Sequence, residues 1–139
     1  MNKLSENLQK ASDHVSATEK KVAAAQQASK EKVEASLKKS KEDAKTRQAE
    51  FKAKVKKEQA NAASDWEELQ DNFNQKTQHI KNKIETEKEA REAKRARRRA
   101  DDAISYAATA IDWALLAFDE AEVAILEAID AEAYAEALA

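Results

Sequence analysis

The 139-residue sequence contains no glycine, no proline and no cysteine. Because glycine and proline supply the tight turns that close compact folds, their absence leaves long helices as the default structure. The absence of cysteine excludes disulfides and thiolate chemistry. Aromatic residues make up only 5% of the chain, and no run of alternating β-branched residues indicates a strand. The sequence therefore argues against β-sheet structure and against a disulfide-stabilised scaffold.

The abundant residues are alanine, glutamate, lysine, glutamine and arginine, all of which are strong helix formers. This composition predicts that more than about 85% of the residues are helical. We expect an all-α fold of long helices, either a helical hairpin or a bent continuous helix. Its helices would pack as a coiled-coil-like multi-helix oligomer.

No segment has the length and hydrophobicity of a membrane span. The best candidate, residues 103–118, has Asp112 at its centre and is shorter than the roughly 20 residues that cross a bilayer. The N-terminal residues MNKLSENLQK lack the apolar core of a signal peptide. We therefore predict no transmembrane span and a cytoplasmic location.

The formal net charge of −2 conceals a strong separation of charge along the chain. Residues 1–100 contain all 25 basic residues and 17 of the 27 acidic ones, which gives a net charge of +8. Residues 101–139 contain ten acidic residues and no basic ones. Such a chain can attract copies of itself or fold back on itself.

Residues 1–60 form a basic, weakly amphipathic arm. Its apolar residues recur every eleven positions, which is 3.67 residues per turn and suits a nearly straight helix; one such series is Val22, Val33, Ala44, Val55 and Trp66. Eleven-residue amphipathic repeats flanked by lysine continue to about residue 84. In this respect the segment resembles the lipid-droplet, apolipoprotein and phasin-type coats, which implies binding to a lipid or granule surface.

Residues 61–100 are predicted to form an amphipathic helix that ends in an arginine and lysine cluster. Ser64 followed by Glu67 has the pattern of a capping box, with Asp65 favouring a helix N-terminus. This signal predicts either a helix–helix corner or a bend near residues 58–64. The predicted seam of the helix consists of Trp66, Leu69, Phe73, Ile80 and Ile84.

Residues 101–139 are predicted to be an acidic, alanine-rich helix that mediates assembly. Two alanine ladders run at seven-residue spacing beside a row of large apolar residues, so together they form one stripe. Asp101 and Asp102 could cap a new helix, or the helix could continue unbroken from residue 64 to about 137. The predicted interface, hereafter the association surface, is Ile104, Ala107, Ile111, Ala114, Leu115, Phe118, Ala121, Ile125, Ala128 and Ile129.

The residues that could carry chemistry do not form a motif. His14 and His79 lie in neither a Glu-x-x-His nor a His-Glu-x-x-His pattern. Trp66 and Phe73 are spaced as packing residues on one helix face. The acidic residues after 118 lack the loop of a calcium site. The basic residues 94–99 lack interleaved aromatic residues that would stack on nucleic-acid bases. We predict no metal, no cofactor, no nucleic-acid partner and no enzymatic activity.

These features favour a structural, self-associating protein that forms an oligomer or filament through its C-terminal helix. An amphipathic surface-coating protein is the alternative, and the low hydrophobicity of residues 1–60 also permits a protein that stays disordered until it is bound or dried. Contacts between basic and acidic residues are expected to set how copies are arranged. The residues predicted to make them are Arg95, Arg97, Arg98, Arg99, Asp119, Glu120 and Glu122.

Overall fold

A computed structural model describes residues 2–58, 63–86 and 92–139. The all-α prediction is confirmed, because 96% of the described residues are helical and none of them is in a strand. The chain divides into two units, Met1–Glu68 and Leu69–Ala139. Its four helices are α1 (Asn2–Gln26), α2 (Lys30–Glu58), α3 (Ala63–Thr86) and α4 (Ala93–Leu138).

The break between α1 and α2 was not anticipated from the sequence. α1 ends in a tightened turn, in which the Gln27 amide donates to the Ala24 carbonyl at 3.2 Å. Ser29 then acts as the N-cap of α2: its carbonyl accepts from the Val33 amide at 3.0 Å, and its hydroxyl accepts from the Lys32 amide at 3.4 Å. The turn lets α1 pack against α2 within the first unit.

The first unit also contains a corner between the end of α2 and the start of α3. Phe51 and Trp66 make an edge-to-face contact with ring centroids 6.2 Å apart. The Lys56 ammonium lies 3.7 Å from the Glu67 carboxylate. Val55 is the single buried residue among those described, with 7% of its surface exposed. Among the described residues, this corner therefore contains one aromatic pair, one ion pair and one buried valine.

The predicted turn at residues 58–64 falls mostly outside the described residues, which resume at Ala63. Ser64 lies inside the first turn of α3 and does not precede it, while Asp65 occupies that first turn as expected. Glu67 pairs with Lys56. The residue that would cap α3 lies outside the described residues.

The second unit contains the α3–α4 connection, and here two expectations were wrong. The helix is not continuous from residue 64 to 137, because Glu92 has an extended backbone with φ −71° and ψ 129°. Asp101 and Asp102 do not cap a helix, because α4 begins at Ala93 and already includes them. The basic residues 94–99 therefore lie in the first turns of α4, which runs for 46 residues, or about 69 Å.

Candidate association surface

α3 contacts one face of α4 at two points. Phe73 stacks on Trp113 with ring centroids 6.0 Å apart and an angle of 18° between the rings. The Arg99 Nε donates to the Ile84 carbonyl at 3.3 Å. Ala103 lies four residues after Arg99, and Tyr106 lies seven residues from both Arg99 and Trp113, so both share this face, and both are half-buried. The two contacts pair earlier residues of α3 with later residues of α4, so the helices run antiparallel.

Part of the association surface, around Ile104 and Ile111, lies on a different side of α4 from Trp113. Ile111 and Trp113 are two residues apart, which places their side chains roughly 160° apart around the helix. Ile104 and Ile111 are 63% and 64% exposed. Along the whole of α4, all of which the structure describes, no residue is buried. Within the predicted set, only Ala121, Ile125 and Ala128 are half-buried, and the other seven residues are exposed.

The seam predicted for α3 is divided between two contacts. Trp66 meets Phe51 in the first unit, and Phe73 meets Trp113 in the second. Ile84 is half-buried beside Arg99, while Leu69 and Ile80 are exposed. Sequence reasoning found Trp66 and Phe73 but not their partners, since each aromatic pair joins residues that are 15 or more positions apart.

The basic residues at the start of α4 make contacts close to themselves. Arg95 lies 3.6 Å from the Glu92 carboxylate, and Arg97 lies 3.2 Å from that of Asp101. These pairs are exposed, so each contributes only about 0–1 kcal/mol. Among the described residues, none makes an ion pair with the three acids predicted to receive the basic cluster, which are Asp119, Glu120 and Glu122.

The charges of α4 oppose the dipole of the helix. A helix N-terminus favours acidic side chains and its C-terminus favours basic ones. α2 follows this rule, with Glu31 in its first turn and Lys56 and Lys57 in its last. α4 has no acidic residue in its first turn and no basic residue in its last. Neither end of α4 is thus stabilised by its own side chains, and both ends would gain from a neighbour of opposite charge.

Neither a metal cluster nor a membrane-spanning helix is present among the described residues. No three histidine, cysteine, aspartate or glutamate side chains within the described ranges converge to hold a metal ion. No helix in these ranges is both long and apolar enough to cross a bilayer. The chain matches no protein-family model, and neither a curated protein nor a solved structure has significant similarity to it.

Proposed function

We propose that the protein is a structural, self-associating helical protein and that the association surface of α4 is its adhesive element. The observation that carries this proposal is the exposed apolar face of α4, a 46-residue helix with no buried residue. Contiguous apolar surface of this kind is rare on soluble monomers and normally marks a site of interaction. The proposed product is an oligomer or a filament of this chain.

The free energy gained by burying this surface is large enough to contribute to association. Removing an exposed isoleucine such as Ile104 or Ile111 from water gains about 1–2 kcal/mol at roughly 25 cal/mol per Å². Association costs an estimated 4–15 kcal/mol in lost motion, so several such residues are needed on each copy. Ile104, Ile111 and Phe118 supply three exposed large residues on each copy, and Ile125, which is half-buried, continues the same row.

The alanine residues of the association surface determine how closely a partner can approach. Ala107, Ala114, Ala121 and Ala128 are seven residues apart, so they share one line along the helix. Alanine places only a methyl group between the backbones, which permits helix axes near the short end of the usual range of about 8–10 Å. A larger side chain on this line would force the helices apart and separate the apolar row from its partner.

A surface-coating function is the second candidate, and one observation favours it. Residues 12–24 of α1 are all exposed, including Val15 and Val22. A helix whose apolar residues remain in water gains stability when a surface covers them. In this case the first unit would bind a lipid or granule surface, and association through α4 would be secondary.

Two double variants test the proposal. Ala114→Gln with Ala121→Gln places bulky polar side chains on the association surface, whereas Ala133→Gln with Ala137→Gln makes the same change on exposed positions off that surface. Glutamine is a strong helix former, so both variants should retain their helicity. Analytical ultracentrifugation should show that the first variant loses its oligomer and that the second keeps the oligomer of the unmodified chain.

Equal assembly of the two variants would contradict the proposal, because the alanine ladder would then not lie in an interface. Circular dichroism with and without anionic phospholipid vesicles tests the coating function on the unmodified chain. An oligomer whose helicity is unchanged by vesicles supports the structural function. A monomer that gains helicity on vesicles supports the coat.

A further inference from the structure

We infer that two copies of the chain pair through the association surface of α4 in an antiparallel arrangement, centred near Leu116. This inference rests on the proposed function and adds the orientation and register of the partner. The second copy is the occupant because its own α4 supplies both the complementary shape and the complementary charge. Each of these can be read from residues of α4.

The shape argument comes from the alternation of large and small residues. The two core positions of the heptad are occupied by Ile104, Ile111, Phe118 and Ile125 at one position and by alanine at the other, from Ala107 to Ala128. In a parallel pair each core position faces its own copy, so layers of two large residues alternate with layers of two alanines. In an antiparallel pair every large residue faces an alanine, all layers have a similar volume, and the helices can stay equally close throughout.

One register matches the whole association surface to itself. It places Ile104 against the partner's Ala128, Ile111 against the partner's Ala121 and Phe118 against the partner's Ala114. Ile125 then faces the partner's Ala107. The midpoint of this arrangement is residue 116, and all eight core positions of each copy are matched.

The flanking charges select this register over its neighbours. Lys94 and Glu136 both occupy the heptad position that directly follows the alanine core position. In this register Lys94 lies next to the partner's Glu136, so ions of opposite charge meet at both ends of the pair. A shift of one heptad in one direction places Asp101 beside the partner's Glu136. The same shift in the other direction places Asp101 beside the partner's Glu122. Both shifts bring like charges together and lose the Lys94 pair.

The same arrangement also compensates for the unfavourable charge distribution along α4. Antiparallel pairing places the basic first turns of one helix, residues 94–99, alongside the acidic last turns of the other, and it sets the two helix dipoles side by side in opposite directions. α3 contacts α4 at Arg99 and Trp113, which lie roughly 120° and 160° around the helix from Ile111. A second copy would therefore meet Ile104 and Ile111 without displacing α3, and it would add to the cover of Ala121, Ile125 and Ala128, which are already half-buried within one chain.

Distance measurements between spin labels test the orientation. The chain has no cysteine, so Leu116→Cys and Ala133→Cys each create a single labelling site. Both residues are exposed, and neither belongs to the association surface. In the antiparallel pair the two labels at 116 lie at the same height, whereas the labels at 133 are 34 residues apart along the pair, or about 51 Å. In a parallel pair the labels lie at the same height in both variants.

Pulsed electron paramagnetic resonance on each full-length variant should therefore give a short distance for 116 and a distance of about 50 Å or more for 133. Sedimentation of the same samples reports whether they are associated, and circular dichroism reports that they are folded. Short distances in both variants of an associated sample would overturn the antiparallel inference and leave the proposed function standing. Folded monomers without dipolar coupling in either variant would overturn both.

Discussion

The stack between Phe73 and Trp113 is expected to hold α3 against α4, and its removal gives a calculable loss of stability. Phe73 is 41% exposed, so about 120 Å² of a side chain with roughly 200 Å² is buried. At roughly 25 cal/mol per Å², this burial contributes about 3 kcal/mol, of which alanine would retain a part. The ring pair itself adds about 0.5–1.5 kcal/mol. We expect Phe73→Ala to destabilise the second unit by about 2–3 kcal/mol.

The assay is urea unfolding followed by the fluorescence of Trp113. Trp66 is the only other tryptophan, so a Trp66→Phe background makes Trp113 the sole reporter. With a urea dependence of about 1–3 kcal/mol per M, the midpoint should fall by about 1 M or more. Protein concentration is held fixed, because association shifts the apparent stability of the folded state.

Phe51→Ala in the same background is the matched control. Phe51 is 40% exposed, close to the exposure of Phe73, but its aromatic partner is residue 66 of the first unit. The native emission of Trp113 should shift to longer wavelength in Phe73→Ala and should not change in Phe51→Ala. If Phe73→Ala unfolds at the same urea concentration as its background, the two rings do not hold the helices together.

Three further changes follow from the structure. Ser29→Ala removes the N-cap of α2 and should cost about 0.5–2 kcal/mol of thermal or urea stability; no loss would mean that Ser29 does not cap. Val55→Ala empties the one position that is buried among the described residues, and it should destabilise the α2–α3 corner more than Val22→Ala, at an exposed site, does; equal effects in urea unfolding would refute this. Glu136→Lys should weaken association several-fold at low salt, and adding Lys94→Glu should restore it; a double variant as weak as the single one would exclude the pairing.

The helical character of the chain was predictable from its composition. Without glycine or proline, and with alanine, glutamate and lysine in abundance, every segment has a preference for the same local structure. The positions of the breaks were harder to predict for the same reason. Ser29 provides the cap of α2, but serine also occurs inside helices, and the turn became visible only with the hydrogen bonds of Lys32 and Val33.

Neither alternative for the start of α4, a cap at Asp101 and Asp102 or a helix unbroken from residue 64, identified the break at Glu92. Glu92 has the extended backbone of an N-cap, but its side chain makes no capping hydrogen bond. A helix that begins with a basic cluster violates the dipole preference, so local rules cannot locate it. The partners of Phe51 and Phe73 likewise depend on tertiary geometry. The association surface follows from spacing alone and stays a prediction until assembly is measured.

The mass of the purified chain in solution tests the central claim most directly. Sedimentation equilibrium across a dilution series reports whether the 15.5 kDa chain associates without any added surface. We expect a weight-average mass of at least twice that of the chain at the higher concentrations, which falls toward the monomer on dilution. A folded, helical chain with the monomer mass at every concentration up to about 100 μM would contradict self-association through α4.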